Sequence, residues 1–328
     1  MKRFSLLVLI LLLPAFLLTA QERHDGPGTE TVPDPDATLL FAHRDTCDLY
    51  LDFYTAAPGA GPCADTLRKP VIIHIFGGAF LSGQRDYPRD RVWYRRMADA
   101  GYHVAAIDYR LGLKGQPGLK PDLSALPILE NAIQIAVDDL FSATNYLIDN
   151  AAQLGIDPDR IIVSGSSAGA ITALQAEWEI CNGKEPARAL PGWFNYAGVM
   201  AFAGAVFTTD GPIAYPQRPC PTLLLHGTAD RIVPYGKITL FKNQFAGSDA
   251  LARSFGNIDA NFQIYRFRDA GHEISISMLR NVPEELRFLE ENVIKGIHRT
   301  VDVLVKDSGI PDIGWVRIGF RQLYKPAQ

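Results

Sequence analysis

The stretch from Arg160 to Ala170 reads Arg-Ile-Ile-Val-Ser-Gly-Ser-Ser-Ala-Gly-Ala, a short apolar strand that enters Gly165-x-Ser167-x-Gly169 and leaves as an alanine-rich helix. Few folds accommodate that pattern. A serine at so sharp a strand-to-helix turn sits on strained backbone, and the neighbouring chain passes close enough that both flanking positions need glycine. The pattern marks Ser167 as a candidate nucleophile. The competing reading, an ordinary strand, turn and helix with chance glycines, has to be weighed against the rest of the chain.

A hydroxyl is a poor nucleophile until a base takes its proton, and the base, a histidine, needs a carboxylate to fix its tautomer. Both lie downstream in order. Pro221 to Pro234 reads as a buried strand, Thr222-Leu223-Leu224-Leu225, that ends in the polar run His226-Gly227-Thr228-Ala229-Asp230. Phe262 to Phe267 is a second strand, followed by Asp269-Ala270-Gly271-His272-Glu273. Loops at the carboxyl ends of parallel strands are where open α/β sheets carry their chemistry. Asp230 and His272 are therefore the expected acid and base. Asp269 is the weaker carboxylate, because a side chain so near along the loop seldom reaches the imidazole from the correct side. Ser164 and Ser166 flank the nucleophile without occupying its central place.

Upstream, Val71-Ile72-Ile73-His74-Ile75-Phe76-Gly77-Gly78-Ala79-Phe80 is an apolar strand running into a glycine turn. Acyl transfer builds negative charge on a carbonyl oxygen, and backbone N–H groups aimed there stabilise it. These residues resemble the glycine-rich oxyanion loops of carboxylesterases and lipases. Asp108-Tyr109-Arg110-Leu111 and Gly155-Ile156-Asp157-Pro158-Asp159-Arg160-Ile161 resemble the corresponding runs of hormone-sensitive-lipase-like esterases, so the resemblance covers roughly residues 39–298. It implies an α/β-hydrolase fold with the chain order Ser, Asp, His, and by position it implies an oxyanion hole from Gly78, Ala79 and Ala168. One departure stands out: Phe76 occupies the place where those esterases carry His or Tyr, so the loop has to be held by packing and by its own backbone. His74, inside the strand, reads as a packing residue, and Arg110 as an ion-pair partner.

A chain of 328 residues, 47% hydrophobic and 21% charged, is long enough to bury one large core. Its net charge of −4 and scattered basic residues argue against nucleic acid as a partner. Residues 1–20 have the charged start, apolar centre and small-residue end of a signal peptide, with an apolar run too short for a stable membrane span. The chain is accordingly expected to be exported, periplasmic or secreted. Residues 21–38 are expected to form a flexible leader, residues 39–306 the catalytic domain, and residues 307–328 a carboxyl-terminal extension of unknown role. Four cysteines, Cys47, Cys63, Cys181 and Cys220, suit an oxidising compartment. Cys47 with Cys63 and Cys181 with Cys220 is the most local pairing, and four free buried thiols is the alternative. The seven histidines show no metal-ligand spacing, so neither metal nor cofactor is expected.

Strands are expected at 49–54, 70–76, 103–109 and 196–206, with helices at 94–100, 126–152 and 283–305. Strands alternating with helices give a mostly parallel, doubly wound sheet. Only 207–220 is available between the strand at 196–206 and the one before Asp230, which leaves no room for a large cap domain. The site is expected to be open, bounded by 111–126 and by the neighbourhood of Cys181, with Trp193, Phe194 and Tyr196 as core residues or, less favoured, a pocket lining. The expected function is hydrolysis of a small-molecule or glycan-linked carboxylic ester. The alternatives are a peptidase resembling the prolyl-oligopeptidase catalytic domain, which shares His-Gly-x-x-Asp-x-x-Val-Pro, and a non-catalytic binding protein on the same fold.

Overall fold

The computed structural model describes residues 32–116, 124–307 and 309. The signal-peptide reading, most of the leader, part of 111–126 and nearly all of the carboxyl-terminal extension lie outside the described residues.

In chain order the elements are β1 (Ala37–Arg44), β2 (Cys47–Tyr54), β3 (Lys69–Ile75), α1 (Pro88–Asp99), β4 (His103–Ile107), α2 (Ala125–Asp149), α3 (Ala151–Leu154), β5 (Ile156–Ser166) and α4 (Ala168–Cys181). Then come β6 (Gly198–Phe202), β7 (Ala205–Thr208), β8 (Thr222–Gly227), β9 (Lys237–Leu240), β10 (Asn243–Gly247), α5 (Ser248–Asn257), β11 (Phe262–Phe267), α6 (Val282–Phe288) and β12 (Thr300–Val305). Among the described residues, nine strands form one sheet in the order β1-β2-β4-β3-β5-β6-β8-β11-β12. The β1–β2 and β2–β4 pairs are antiparallel, and every other pair is parallel. The sheet thus has the α/β-hydrolase arrangement, and the carboxyl ends of β3, β5, β8 and β11 share one edge.

The alternation of β3 splits the core. Val71, Ile73 and Ile75 point into a layer with α2, α4 and α5, whereas Ile72 joins Trp93, Tyr94 and Met97 of α1 and Phe288 of α6 on the opposite face. Each fully buried isoleucine contributes about 1.5–3 kcal/mol relative to an exposed one, and both faces of the central strands need cover. That is why β3 reads as a continuous apolar run.

Four expectations need correction. The single strand expected at 196–206 is two strands in different sheets, because Ala203 takes a left-handed φ of +57° and turns the chain. Any Cβ on Gly204 would lie 2.8 Å from the Ala170 methyl, so this turn packs directly on α4. β7 then joins the β9–β10 hairpin in a separate three-stranded sheet. The helix expected to run to Val305 stops earlier: Gly296 adopts φ +63°, and the period-two run Thr-Val-Asp-Val-Leu-Val over 300–305 pairs in parallel with β11. The end of the expected leader is anchored rather than loose. β1 begins at Ala37, and Asp34 and Asp36 form ion pairs with Arg91 and Arg95 of α1. Finally, all four cysteines are free thiols.

Candidate active site

Ser167 follows β5 directly and precedes α4 with φ 53° and ψ −115°, a conformation that costs on the order of 1–3 kcal/mol for a residue with a Cβ. The flanking glycines make it possible. A Cβ on Gly165 would fall 2.2 Å from the Gly169 carbonyl, and one on Gly169 would fall 2.0 Å from the Ile75 carbonyl oxygen. The turn is pinned further by the Ser167 N–H, which donates to Phe202 O at 2.9 Å.

The structure brings the three expected side chains together. Ser167 Oγ lies 2.8 Å from His272 Nε2, and His272 Nδ1 lies 2.7 Å from Asp230 Oδ2. All three residues are buried. Asp230 is fixed by its own loop, since its Oδ1 accepts the N–H groups of Ile232 at 2.8 Å and Val233 at 3.0 Å. Burial opposes charge on Asp230, but the imidazoles of His272 and His226 beside it outweigh burial and hold its carboxyl well below the usual carboxylate range. The ionised carboxylate requires the proton of His272 on Nδ1, which leaves Nε2 as an acceptor for the serine hydroxyl. That tautomer is assigned from the neighbours.

Asp269 is not part of this arrangement. Its side chain is 87% exposed and pairs with Arg268 at 3.6 Å. Ser166 does contribute, although not as a nucleophile: its hydroxyl donates to Ser275 O at 2.7 Å and ties the turn to the short helical segment that begins at His272.

The glycine loop after β3 carries positive φ at three successive residues, Gly78 (+139°), Ala79 (+56°) and Phe80 (+59°). Gly78 permits the sharp reversal, because a Cβ there would sit 1.9 Å from Ser82 O. Ala168 is the first residue of α4, so its N–H is among the first-turn donors that a helix leaves without an intrahelical acceptor. Phe76 does not hydrogen-bond the loop by its side chain, as expected. The missing clamp is supplied from the loop after β4 instead: Tyr109 packs on Phe76 with ring centroids 4.5 Å apart and donates its hydroxyl to Phe76 O at 3.1 Å. Tyr109 stands within the Asp108-Tyr109-Arg110-Leu111 run, where nothing local signals this task.

His74 is fully buried between Trp93 and Tyr94, with Nδ1 3.3 Å from Ser164 Oγ. Burial, aided by nearby Arg89, pushes it down to about 3, so it packs as a neutral ring. Arg110 grips the buried Asp139 through Nε and Nη2 at 2.8–3.1 Å. The neighbourhood of Cys181 does not border the site. It lies at the far end of α4, whose 14 residues span about 20 Å at ~1.5 Å per residue. Phe194 and Tyr196 are core residues there, with the Tyr196 hydroxyl 2.9 Å from Thr144 Oγ1. Among the described residues no group of His, Cys, Asp or Glu is arranged to hold a metal ion, and no helix is long and apolar enough to cross a membrane.

Comparison with known proteins bears on the family and the fold. The BD-FAE family profile matches residues 60–179, which include the glycine loop and the serine turn. The phospholipase/carboxylesterase profile matches residues 126–290, half of the chain, from α2 through the serine and Asp230 to His272. The chain belongs to the phospholipase/carboxylesterase family. Proteins similar to it include esterase LipI of Mycobacterium tuberculosis, 29% identical over 111 residues, covering 34% of this chain and 29% of that protein. Lipase 1 of Geotrichum candidum is 29% identical over 170 residues, covering 51% of this chain and 27% of that one. The chain therefore spans less than a third of the length of these curated relatives. In fold it is similar to a thermophilic esterase, Est2, of Thermogutta terrifontis, with a TM-score of 0.55 at 19% identity over 79% of this chain and 92% of that one. A carboxylesterase-like α/β-hydrolase fold is thus common to the family, the neighbour and this chain.

Proposed function

We propose that this protein hydrolyses carboxylic esters through an acyl-enzyme on Ser167. The observation that carries the reading is the continuous chain Ser167 Oγ, His272 Nε2, His272 Nδ1, Asp230 Oδ2, with links of 2.8 and 2.7 Å. His272 takes the serine proton as Oγ attacks the ester carbonyl, and Asp230 stabilises the imidazolium that results. The N–H groups of Gly78, Ala79 and Ala168 receive the oxyanion. His272 then protonates the departing alcohol, water repeats the attack on the acyl-enzyme, and the free acid leaves with Ser167 restored. No metal or organic cofactor is invoked.

The substrate class proposed is a small-molecule or glycan-linked ester. The described residues form no large cap, which suits an alcohol group too bulky for an enclosed pocket. The amino-terminal segment supports export to the periplasm or the medium. The test is a panel of esters of increasing acyl length, with acetylated and feruloylated sugars and a dipeptidyl amide, given to the pure protein. Ester turnover with the amide untouched is the expected outcome. Cleavage of the amide alone would favour the peptidase reading suggested by His226-Gly227-x-x-Asp230-x-x-Val233-Pro234.

A further inference from the structure

Asp230 is contacted by a second imidazole. His226, in the carboxyl-terminal turn of β8 and fully buried, places Nε2 3.3 Å from Asp230 Oδ2 and 3.3 Å from Val233 O. Its Nδ1 lies 2.8 Å from Ser248 Oγ, at the first residue of α5. Both neighbours of Nε2 are acceptors, so a proton belongs on Nε2, and Nδ1 faces the Ser248 hydroxyl. The two oxygens of Asp230 are therefore bound differently. Oδ1 takes two backbone N–H groups, while Oδ2 is shared between His272 Nδ1 at 2.7 Å and His226 Nε2 at 3.3 Å.

The surrounding groups leave this relationship undisturbed. The Tyr235 ring meets the His226 ring edge-on at 5.6 Å, and its hydroxyl is bonded to Arg266, which also pairs with Asp249 and Asp302. Glu273, beside His272, accepts the Gly271 N–H at 2.6 Å. The titratable groups in contact with the Asp230 carboxylate are thus His272 from the loop after β11 and His226 from β8.

We propose that His226 is a positioning residue for the reaction: held in one tautomer by Ser248, its Nε2–H aims Asp230 Oδ2 at His272 Nδ1 and draws off part of the carboxylate charge. This role rests on the reading of Ser167, His272 and Asp230 as a triad. A hydrogen bond to a charged group contributes more than one between neutral groups, and an imidazole that lacks a well-aimed carboxylate presents the wrong face to the serine. His226 is buried behind Asp230, so its effect belongs in kcat rather than KM. Without it, the carboxylate charge falls more fully on the imidazolium formed in the reaction, so the acid limb of the rate profile is a readout that a merely structural role would not move.

The experiment measures kcat and KM against pH on the best ester of the panel, with the melting temperature of each protein, for wild type, His226→Phe, His226→Gln and Ser248→Ala. In His226→Phe we expect kcat to fall about 10- to 100-fold, KM to stay near its wild-type value and the acid limb to move to higher pH. Glutamine carries an amide N–H where the imidazole Nε2–H stood, so His226→Gln recovers most of kcat and returns the limb. Ser248→Ala, which only releases the tautomer, gives a smaller change in the same direction. The proposal is overturned if folded His226→Phe keeps the wild-type kcat and pH profile. It is equally overturned if the losses follow melting temperature alone, with an unmoved limb and no recovery by glutamine. A wild-type protein inert to every ester would instead overturn the triad reading on which the role depends.

Discussion

Ser166 and Ser275 are joined across the site: the Ser166 hydroxyl, one residue before Ser167, donates to the Ser275 carbonyl at 2.7 Å, three residues after His272. The bond connects the turn after β5 to the segment after β11, the two pieces of chain whose separation sets the distance from Ser167 to His272. Both partners are buried, so nothing replaces the bond when it is removed.

Ser166→Ala should therefore stay reactive and become less stable. Unfolding by urea is expected to show a loss of about 1–3 kcal/mol, because a buried carbonyl is left without its donor, while ester turnover falls by less than about tenfold. Loss of all reactivity in a folded Ser166→Ala protein would contradict the choice of Ser167.

The two candidate carboxylates make opposite predictions. Asp230→Asn should keep the fold and lower kcat by about 10⁴, since the amide stabilises the wrong imidazole tautomer. Asp269→Asn, at an exposed position paired with Arg268 across 3.6 Å, should leave kcat unchanged. Steady-state kinetics on equally folded variants checks the ranking, and the reverse order would place the acid at Asp269.

Much of this site was legible in the sequence because its backbone needs are so restrictive. Gly165 and Gly169 leave no space for a Cβ, and the strands that lead towards Asp230 and His272, Thr222–Gly227 and Phe262–Phe267, are largely apolar and buried. What escaped the sequence depends on contacts between distant segments. Tyr109 and His226 both stand in motifs recognisable as such, but the hydroxyl on Phe76 O and the imidazole on Asp230 exist only once β4 lies beside β3 and the turn after β8 closes back on itself. The division of 196–206 into two strands turns on one left-handed alanine, Ala203, whose side chain gives no local hint of that conformation. β12 was hidden because its apolar residues continue a helical stretch, and only Gly296 marks the change of period.

A pH-dependent contribution to stability is expected from Glu177. Burial pushes its carboxyl up from an ordinary 4.5 to about 7, against hydrogen bonds from the Cys220 N–H, the Cys181 thiol and the Asn195 amide. Between those values the folded protein holds a proton that the unfolded chain has lost, so this group's contribution is complete below pH 4.5 and declines as pH rises towards about 7. Urea unfolding at both ends of the window should show a decline smaller by up to about 3 kcal/mol in Glu177→Gln than in wild type. Equal declines would mean that the carboxyl ionises in the folded state much as it does in the unfolded chain.

The central claim is that Ser167 is an activated nucleophile, and the most direct measurement is mass-spectrometric location of the adduct formed with a fluorophosphonate. A serine hydroxyl attacks that phosphorus at a useful rate only when a base removes its proton. A single adduct on Ser167 is expected, absent from Ser167→Ala, whose ester turnover should fall on the order of a millionfold. An adduct on Ser164 or Ser166, or labelling that persists in Ser167→Ala, would contradict it.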